Sequence, residues 1–247
     1  VTADGGPLTI MCCDNIRGNG HMLQASLRAY LLAVGKDNLV AWVDRNVTFP
    51  CSMVDRITPR TTEELQAEIA SQFPKLSASP IHSEDYIQWV LEDRFAGKMA
   101  DLTKVGVEVV ADVDPYEEAK IRILNGGHTG LAYLGALAGH NTFDEAMRDP
   151  EIRPHFDNLE SEEVLPGLQL MLPFDKDVYC ERIAERFANQ AIADALERIC
   201  MDGFTKFPIF VRPTLEGCLA QGISPQHCYA SIASWYVFSR RHARAQG

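Results

Sequence analysis

The sequence is short of positive charge. Its 23 lysines and arginines stand against 34 aspartates and glutamates, which gives a formal net charge of −11 over 247 residues. Nucleic acids and anionic membrane surfaces attract proteins through positive charge placed opposite phosphates, so this balance argues against both as partners. Long apolar runs are missing as well, because segments such as 8–13 and 131–138 fall well below the roughly 20 residues of a membrane-spanning helix. We therefore expect no nucleic-acid partner and no membrane span.

Sequence spacings typical of metal sites are also missing. No Cys-x-x-Cys or His-x-x-x-His pair occurs, and the nearest cluster, His227-Cys228, falls in a helical pattern where core packing is the better interpretation. The seven cysteines are odd in number, dispersed and not preceded by a secretory leader. This usage is typical of reduced thiols in a cytoplasmic protein. The sequence thus predicts neither a metal site nor a disulfide framework.

The dinucleotide-binding fingerprint Gly-x-Gly-x-x-Gly is incomplete. The segment CCDNIRGNG, residues 12–20, follows a strand-like run and precedes a helical pattern, as the phosphate-binding turn of such proteins does. The third glycine position is occupied by Leu23, however, and no complete fingerprint occurs elsewhere in the chain. No cofactor-binding residue is therefore assigned from the sequence.

Residues 1–113 have a mixed character. Strand-like runs are predicted at 7–13, 46–60 and 104–113, and a helix with one apolar face at 21–34. The segment 83–95 fits either an amphipathic helix or an extended strand. We predict α/β structure for this region.

From Asp114 onward the sequence becomes mostly helical. Asp114 is a candidate N-cap, Pro115 suits the first helical position and Glu117 the capping-box position, so a long helix is predicted to run to Gly139. Further helical spacing occurs at 176–200, 214–221 and 225–244. The predicted fold class is therefore α/β followed by mostly α, with the boundary between residues 113 and 114.

The predicted long helix carries a polar constellation. At about 100° per residue, Lys120 at 0° places His128 at about 80° and Asn125 at about 140°, on one side of the helix. Gly126-Gly127 would leave room for a ligand, and a lysine, an amide and an imidazole together suit chemistry on an alcohol or a carbonyl. The spacing equally allows Lys120 and Arg122 to be solvated and His128 to be a core residue, because polar triads are common on exposed helix faces.

The segment that contains these three residues resembles a motif of a known family. KIRILNGGH matches the Lys-x-x-x-x-Asn-x-x-His signature of the polyol-specific long-chain dehydrogenases, the mannitol dehydrogenase family, and CCDNIRGNG resembles that family's Ser-Cys-Asp-Asn segment. MVDRITP, QWVLEDRF and RFANQAIADALERICMDGFTKFP are similarly close and in the same order. TADGGP, Cys12-Cys13 and DGFTK resemble the branch that acts on D-arabinitol. Cys12, Gly127 and Phe204 depart from the family's more common residues.

The resemblance implies a function and an organisation. It implies oxidation of a sugar alcohol such as D-arabinitol to its ketose, with NAD rather than NADP as cofactor and without a metal. Residues 1–113 would be the later part of a Rossmann-like nucleotide-binding domain, and 114–247 a mostly helical substrate domain. Family members are longer at both ends. The expected protein is cytoplasmic, and its partner is a small polyol or ketose. The sequence leaves the oligomeric state open, and the resemblance favours a monomer.

The resemblance also implies roles for individual residues. Lys120 would be the general base, a role that requires its pKa to fall from about 10.4 toward about 7–8, with Arg198 or Lys206 as the nearby cation. Asn15 and Asn125 would hydrogen-bond the reacting oxygen from two sides of one cleft. The other hydroxyls of the substrate would be contacted by Asp55, His128, Arg198 and Lys206.

Several alternatives stay open. The chain could resemble a mannitol 2-dehydrogenase, or a hexuronate (fructuronate) reductase in which Arg198 and Lys206 pair with a substrate carboxylate. A non-catalytic, polyol-binding fragment is a third possibility, because the nucleotide fingerprint is missing. At the level of residues, Asn15 could be a simple turn residue, Arg56 could form a surface ion pair, and Lys206 could be solvated after a helix end at Asp202-Gly203.

Overall fold

The structure, a computed structural model, describes residues 5–77, 79–168 and 171–246, so the TADGGP motif is described only from Gly5 onward. Cα packing separates two compact units: Val1–Arg56 with Tyr86–Glu117, and Ile57–Asp85 with Glu118–Gly247. The second unit therefore includes a segment that interrupts the first unit in sequence. The predicted domain boundary after residue 113 stays a prediction.

The first unit contains two small sheets and two main helices. Its elements are β1 (Leu8–Thr9), α1 (Asn19–Ala33), α2 (Asp37–Asn46), β2 (Val47–Thr48), β3 (Ser52–Asp55), β4 (Gln88–Glu92), a 3-10 turn (Leu102–Val105) and β5 (Glu108–Val110). β1 pairs with β2 in parallel, whereas β4 lies between an antiparallel β3 and a parallel β5. The helix predicted at 21–34 is confirmed, and the ambiguous segment 83–95 contains a strand.

Two apolar clusters hold this unit together. Leu31 of α1 packs with Val40 and Val43 of α2 and with Phe49, which is 2% exposed. Met53 and Val90, from neighbouring strands, form a second cluster with Val113. The first cluster packs the end of α1 against α2, and the second holds β3 and β4 together.

The second unit is helical among the residues that the structure describes. Its elements are α3 (Glu63–Gln72), the end of α4 (Asp114–Ala119), a π-helical turn (Lys120–Asn125), α5 (Gly126–Ala138), α6 (Phe143–Arg148), α7 (Arg153–Asn158), a second π-helical turn (Leu159–Val164), α8 (Leu165–Gly167), α9 (Lys176–Phe187), α10 (Leu196–Ile199), α11 (Gly203–Lys206), a third π-helical turn (Phe207–Val211), α12 (Arg212–Ala220) and α13 (Gln226–Gln246). The predicted helix 176–200 is two helices, because residues 188–195 leave the helical conformation.

The predicted long helix exists but begins differently. It starts at Asp114, so Asp114 is not its N-cap; the Val113 carbonyl accepts from the Glu117 N–H, and the Asp112 carboxylate accepts from the Asp114 N–H at 3.0 Å. The Glu117 side chain does not close a capping box and instead accepts from the Gly18 N–H. The predicted terminator is correct, since Gly139 has φ 96°.

The glycine pair does not leave room for a ligand. A Cβ on Gly127 would lie 2.5 Å from the Glu160 carboxylate and 2.7 Å from the Phe156 ring, and one on Gly126 would lie 3.1 Å from the Phe210 carbonyl. The prediction of ligand space at Gly126-Gly127 is therefore wrong. The missing side chains allow α5 and its neighbours to approach closely.

The described residues contain no helix that is long and apolar enough to cross a membrane. All seven cysteines are free thiols. Four of them are buried: Cys51, Cys200, Cys218 and Cys228.

Replacing Gly127 by alanine should destabilise the chain by about 1–3 kcal/mol, because the new methyl group overpacks a site bounded by a rigid ring. Urea-induced unfolding measures the free energy of unfolding of each variant. Gly97→Ala is the matched control, since the nearest atom to its Cβ would be 4.0 Å away. An equal effect of the two substitutions would contradict the packing role of Gly127.

Candidate active site

A π-helical turn places Lys120 and Asn125 at its two ends. Lys120 is 6% exposed, so the alternative of a solvated lysine is wrong, and Arg122 in the same turn is 4% exposed. A π turn hydrogen-bonds residue i to residue i+5, so it is wider than an α turn and brings Lys120 and Asn125 closer to one face than a regular α-helix would. The 140° separation computed for a regular α-helix is therefore wrong. Single π turns inside α-helices occur frequently at functional sites.

His128 lies one turn further along α5 and is half-buried against aromatic rings. Its ring centroid is 4.2 Å from that of Phe143 and 5.1 Å from that of Phe187. Burial, reinforced by the positive charges of Lys206 and Arg198, lowers the pKa of His128 to about 3. The imidazole is therefore neutral near pH 7, with one ring nitrogen that donates and one that accepts.

Two predicted cations lie near this imidazole. Arg198 pairs with Asp194, with one contact of 2.9 Å from Nε to Oδ1 and a second between its NH2 group and Oδ2. Lys206 donates from Nζ to the Ile199 carbonyl at 2.8 Å, and burial lowers its pKa, with a further lowering by Arg198. Lys206 is half-buried, so it is not simply solvated; moreover, Asp202-Gly203 begins α11 and does not end a helix.

A small cavity opens beside His128. It has a volume of about 10 Å³, room for about one water molecule, and its walls include Phe187, Asp144 and Asp194. Asp144 is 5% exposed, and its Oδ1 atom has no hydrogen-bond partner among the described residues. Such an atom can accept from a hydroxyl group that enters the cavity. The sequence did not identify Asp144, because its position in the first turn of α6 does not distinguish it from other acidic residues at helix N-termini.

Asn15 and Asp55 lie in the first unit. Asn15 is exposed in the loop between β1 and α1, where its backbone N–H donates to Asp14 Oδ1 at 3.0 Å. Asp55 ends β3 opposite Gln88 and is 4% exposed. Arg56, which follows it, is exposed.

Asn19 anchors the loop that carries Asn15. It is fully buried; its Nδ2 donates to the Ser52 carbonyl at 2.8 Å and to the Asp14 carbonyl at 3.0 Å, and its Oδ1 accepts from the Ser52 N–H at 2.9 Å. These bonds join the start of α1 to β3. The sequence around Asn19 gives no sign of this role, because its partner Ser52 is 33 positions away.

Two buried charged groups of the second unit were also missed. Arg122 contacts Glu118 Oε1 and Thr214 Oγ1, each at 2.8 Å. Glu160, in the second π turn, is 3% exposed, and its Oε1 has no hydrogen-bond partner within the described part of the chain. Burial raises the pKa of Glu160 well above its usual value. The spacing of Arg122 and Glu160 in the sequence did not distinguish them from charged residues on exposed helix faces.

The predicted site residues therefore fall into two groups. Lys120, Asn125 and His128 share one helix, and the electrostatic influence of Arg198 and Lys206 on His128 places these two cations in the same unit. Asn15 and Asp55 belong to the other unit. The roles of all seven residues stay predictions.

The depressed pKa of His128 makes stability depend on pH. The ring titrates near 6.5 in the unfolded chain and at about 3 when folded, so its neutral state stabilises the fold above pH 6.5, and this contribution falls as the pH drops toward 3. As the pH falls between these limits, the free energy of unfolding of the wild-type chain should decrease by up to about 1.4 kcal/mol per pH unit relative to that of His128→Gln. Urea unfolding of both proteins at several pH values measures the difference. A difference that does not change with pH would contradict this account.

Comparison with known proteins assigns both parts of the chain to the same family. A family model described as "Mannitol dehydrogenase Rossmann domain" matches residues 2–104, and one described as "Mannitol dehydrogenase C-terminal domain" matches residues 112–246. D-arabinitol 4-dehydrogenase of Ralstonia nicotianae is 42% identical over 220 residues, which cover 89% of this chain and 47% of that protein. D-mannonate oxidoreductase of Escherichia coli is 38% identical over 233 residues, covering 94% and 48%.

A solved structure is similar over most of the chain. Mannitol 2-dehydrogenase of Pseudomonas fluorescens, in a ternary complex with NAD and D-mannitol, superposes with a TM-score of 0.81 at 38% identity, covering 93% of this chain and 46% of that one. The matches confirm the predicted fold class, a Rossmann-like region followed by a mostly helical one. The chain spans about half the length of the curated relatives it matches.

Proposed function

The chain belongs to the mannitol dehydrogenase family, and we propose that it carries the proton-transferring and polyol-binding part of an NAD-dependent polyol dehydrogenase. The observation that carries the proposal is the buried Lys120 at the head of a π turn that ends in Asn125. A sugar alcohol such as D-arabinitol is the proposed substrate, because the relative from Ralstonia nicotianae is named for that polyol. The overall reaction converts the polyol and NAD⁺ to the ketose, NADH and a proton.

The turn Gly18-Asn19-Gly20 does not fit the pyrophosphate of NAD. The Glu117 carboxylate already accepts from the Gly18 N–H at 3.1 and 3.2 Å, and a negative group there repels phosphate. A Cβ on Gly20 would lie 2.5 Å from the Phe49 carbonyl, so this glycine makes room for the protein backbone. The NAD assignment is supported by family membership, and no residue of this chain is assigned to the cofactor.

The proposed proton transfer begins at the substrate hydroxyl. The uncharged Lys120 amine takes that proton while the amide groups of Asn15 and Asn125 donate hydrogen bonds to the oxygen, on which negative charge develops. Because such donors act on charge that appears only during the reaction, they lower the barrier more than they strengthen substrate binding. Burial of Lys120 excludes water, which would otherwise compete for the proton.

The remaining predicted residues would orient the polyol. The neutral His128 ring can donate to one hydroxyl and accept from another, and the cations Arg198 and Lys206 can only donate. Asp55 and Asp144 can only accept when ionised. A chain of hydroxyl groups requires both kinds of partner, since each hydroxyl donates one hydrogen bond and accepts others.

Removing the Lys120 amine in the complete protein should lower kcat for D-arabinitol by about 10²- to 10⁴-fold, the usual contribution of a positioned acid or base. Lys120→Met keeps most of the side-chain volume, so circular dichroism should show a folded protein. Lys104→Met, at an exposed lysine, is the control and should retain wild-type turnover. Turnover of Lys120→Met within a few-fold of that control would disprove the assignment of the base.

A hexuronate reductase is the second candidate. The similarity to D-mannonate oxidoreductase favours it, and so does the placement of Arg198 and Lys206, two cations near one imidazole that suit a substrate carboxylate. Arg198 is already paired with Asp194, which lowers its capacity for a second anion and favours the uncharged polyol.

Initial rates of NAD(H) turnover with D-arabinitol, D-mannitol and D-fructuronate at equal concentrations distinguish the two candidates. We expect kcat/KM for a polyol to exceed that for the hexuronate, because Arg198 is already paired with Asp194 and a substrate carboxylate would lose hydration for a weakened partner. Raising the ionic strength should leave the polyol rate nearly unchanged. A higher kcat/KM for D-fructuronate, reduced by salt, would support the reductase instead.

A further inference from the structure

Three groups of metal-ligand type converge in the first unit. His21 lies in the first turn of α1, Cys51 immediately precedes β3, and Glu92 ends β4. One imidazole nitrogen, the thiol sulfur and one carboxylate oxygen all lie within 4.8 Å of one another. The three residues are far apart in sequence, so the packing of α1 against the two strands is what brings them together.

The burial of this cluster differs from one ligand to the next. Cys51 is 3% exposed and Glu92 is 9% exposed, whereas His21 is exposed. Two ligands are therefore held in the packed interior, and the third lies where an ion can enter from solvent. An entry path is one of the requirements of a metal site.

The thiol lies beside a carboxylate, Glu92, whose Oε2 is also 3.5 Å from Nη1 of Arg94. The Glu92 carboxylate accepts from the Cys51 N–H at 2.9 Å, which fixes the carboxylate beside the sulfur. Glu117, a second carboxylate of the same unit, is 4% exposed. A divalent cation among these groups would compensate their charge and convert the thiol to a thiolate.

We propose that His21, Cys51 and Glu92 bind one Zn²⁺ ion, with water in the fourth position. Nitrogen, sulfur and carboxylate oxygen are the ligand types that zinc uses, at about 2.0–2.3 Å. Ligand atoms around a tetrahedral zinc lie roughly 3.5 Å apart. The exposed His21 side chain can rotate to close the cluster from 4.8 Å to that spacing. The bound ion would join α1 to β3 and β4.

This zinc site is independent of the proposed dehydrogenase reaction, in which no metal takes part. It departs from the expectation of no metal, which depended on ligand pairs close in sequence. His21 lies six residues after Asn15 in the chain, on the helix that follows the Asn15 loop. Zinc binding and polyol oxidation are measured in different assays, so a failure of one proposal is distinguished from a failure of the other.

Competition with a chromophoric chelator measures the proposed binding. The metal-free chain is titrated with ZnCl₂, and we expect one Zn²⁺ per chain. Substituting cobalt for zinc should produce thiolate-to-cobalt charge-transfer absorption, which reports the Cys51 sulfur directly. His21→Ala and Cys51→Ser should each weaken binding by at least about 100-fold, since even an outer partner of a ligand typically contributes 10- to 100-fold.

Cys13→Ser is the matched control, because Cys13 is an exposed thiol of the same unit outside the cluster. Its zinc affinity and cobalt spectrum should equal those of the unaltered chain. If Cys51→Ser does not fold, His21→Ala, at an exposed position, decides the question alone. Absence of stoichiometric binding, or unchanged affinity in His21→Ala, would overturn the proposal.

Discussion

The helical unit depends on a buried positive charge that is fully paired. Arg122 is 4% exposed, and it contacts the Glu118 carboxylate, the Thr214 hydroxyl and, at 3.3 Å, the Gly167 carbonyl. Moving an ion out of water costs several kcal/mol, so Arg122 is compatible with the interior only with these partners in place. The contacts hold its π turn to α8 and α12. The position of the Lys120–Asn125 turn follows from this constraint.

The electrostatics of the candidate site agree with the proposed polyol substrate. Burial, reinforced by the charges of Lys206 and Arg198, lowers the pKa of His128 and keeps the ring neutral, and Asp194 already balances Arg198. The buried Glu160, next to Gly127, is held toward its neutral form by desolvation. Neutral imidazole and neutral carboxyl groups can each donate and accept, which suits hydroxyl groups better than it suits ions.

Regular periodicity made part of the fold predictable. The apolar faces of α1 and α13 repeat over several turns, so their existence followed from local pattern. The segment 83–95 was ambiguous because a short apolar run fits a strand or a buried helix equally well. The start of α4 was misplaced by one residue because Asp112, and not Asp114, supplies the capping carboxylate. Propensity does not distinguish between neighbouring acidic residues.

The candidate site was predictable only where its residues lie close in sequence. The spacing of Lys120, Asn125 and His128 identified the family, but it did not reveal the π turn that aligns the first two. Asn19 and Asp144 carry no local signal, since what distinguishes them is burial by distant segments. The roles of Asn15 and Asp55 came from resemblance and stay predictions.

The sequence by itself determined the acidic character of the protein, the helical second half, its family and the candidate residues within each motif. These properties are set by composition and by patterns within a few turns of one element. Only the tertiary structure decided that Lys120 is buried, that the glycine pair accommodates Glu160 and Phe156, and that His21, Cys51 and Glu92 meet. Burial and convergence depend on which distant segments pack together, and the spacing of residues along one segment does not specify that packing.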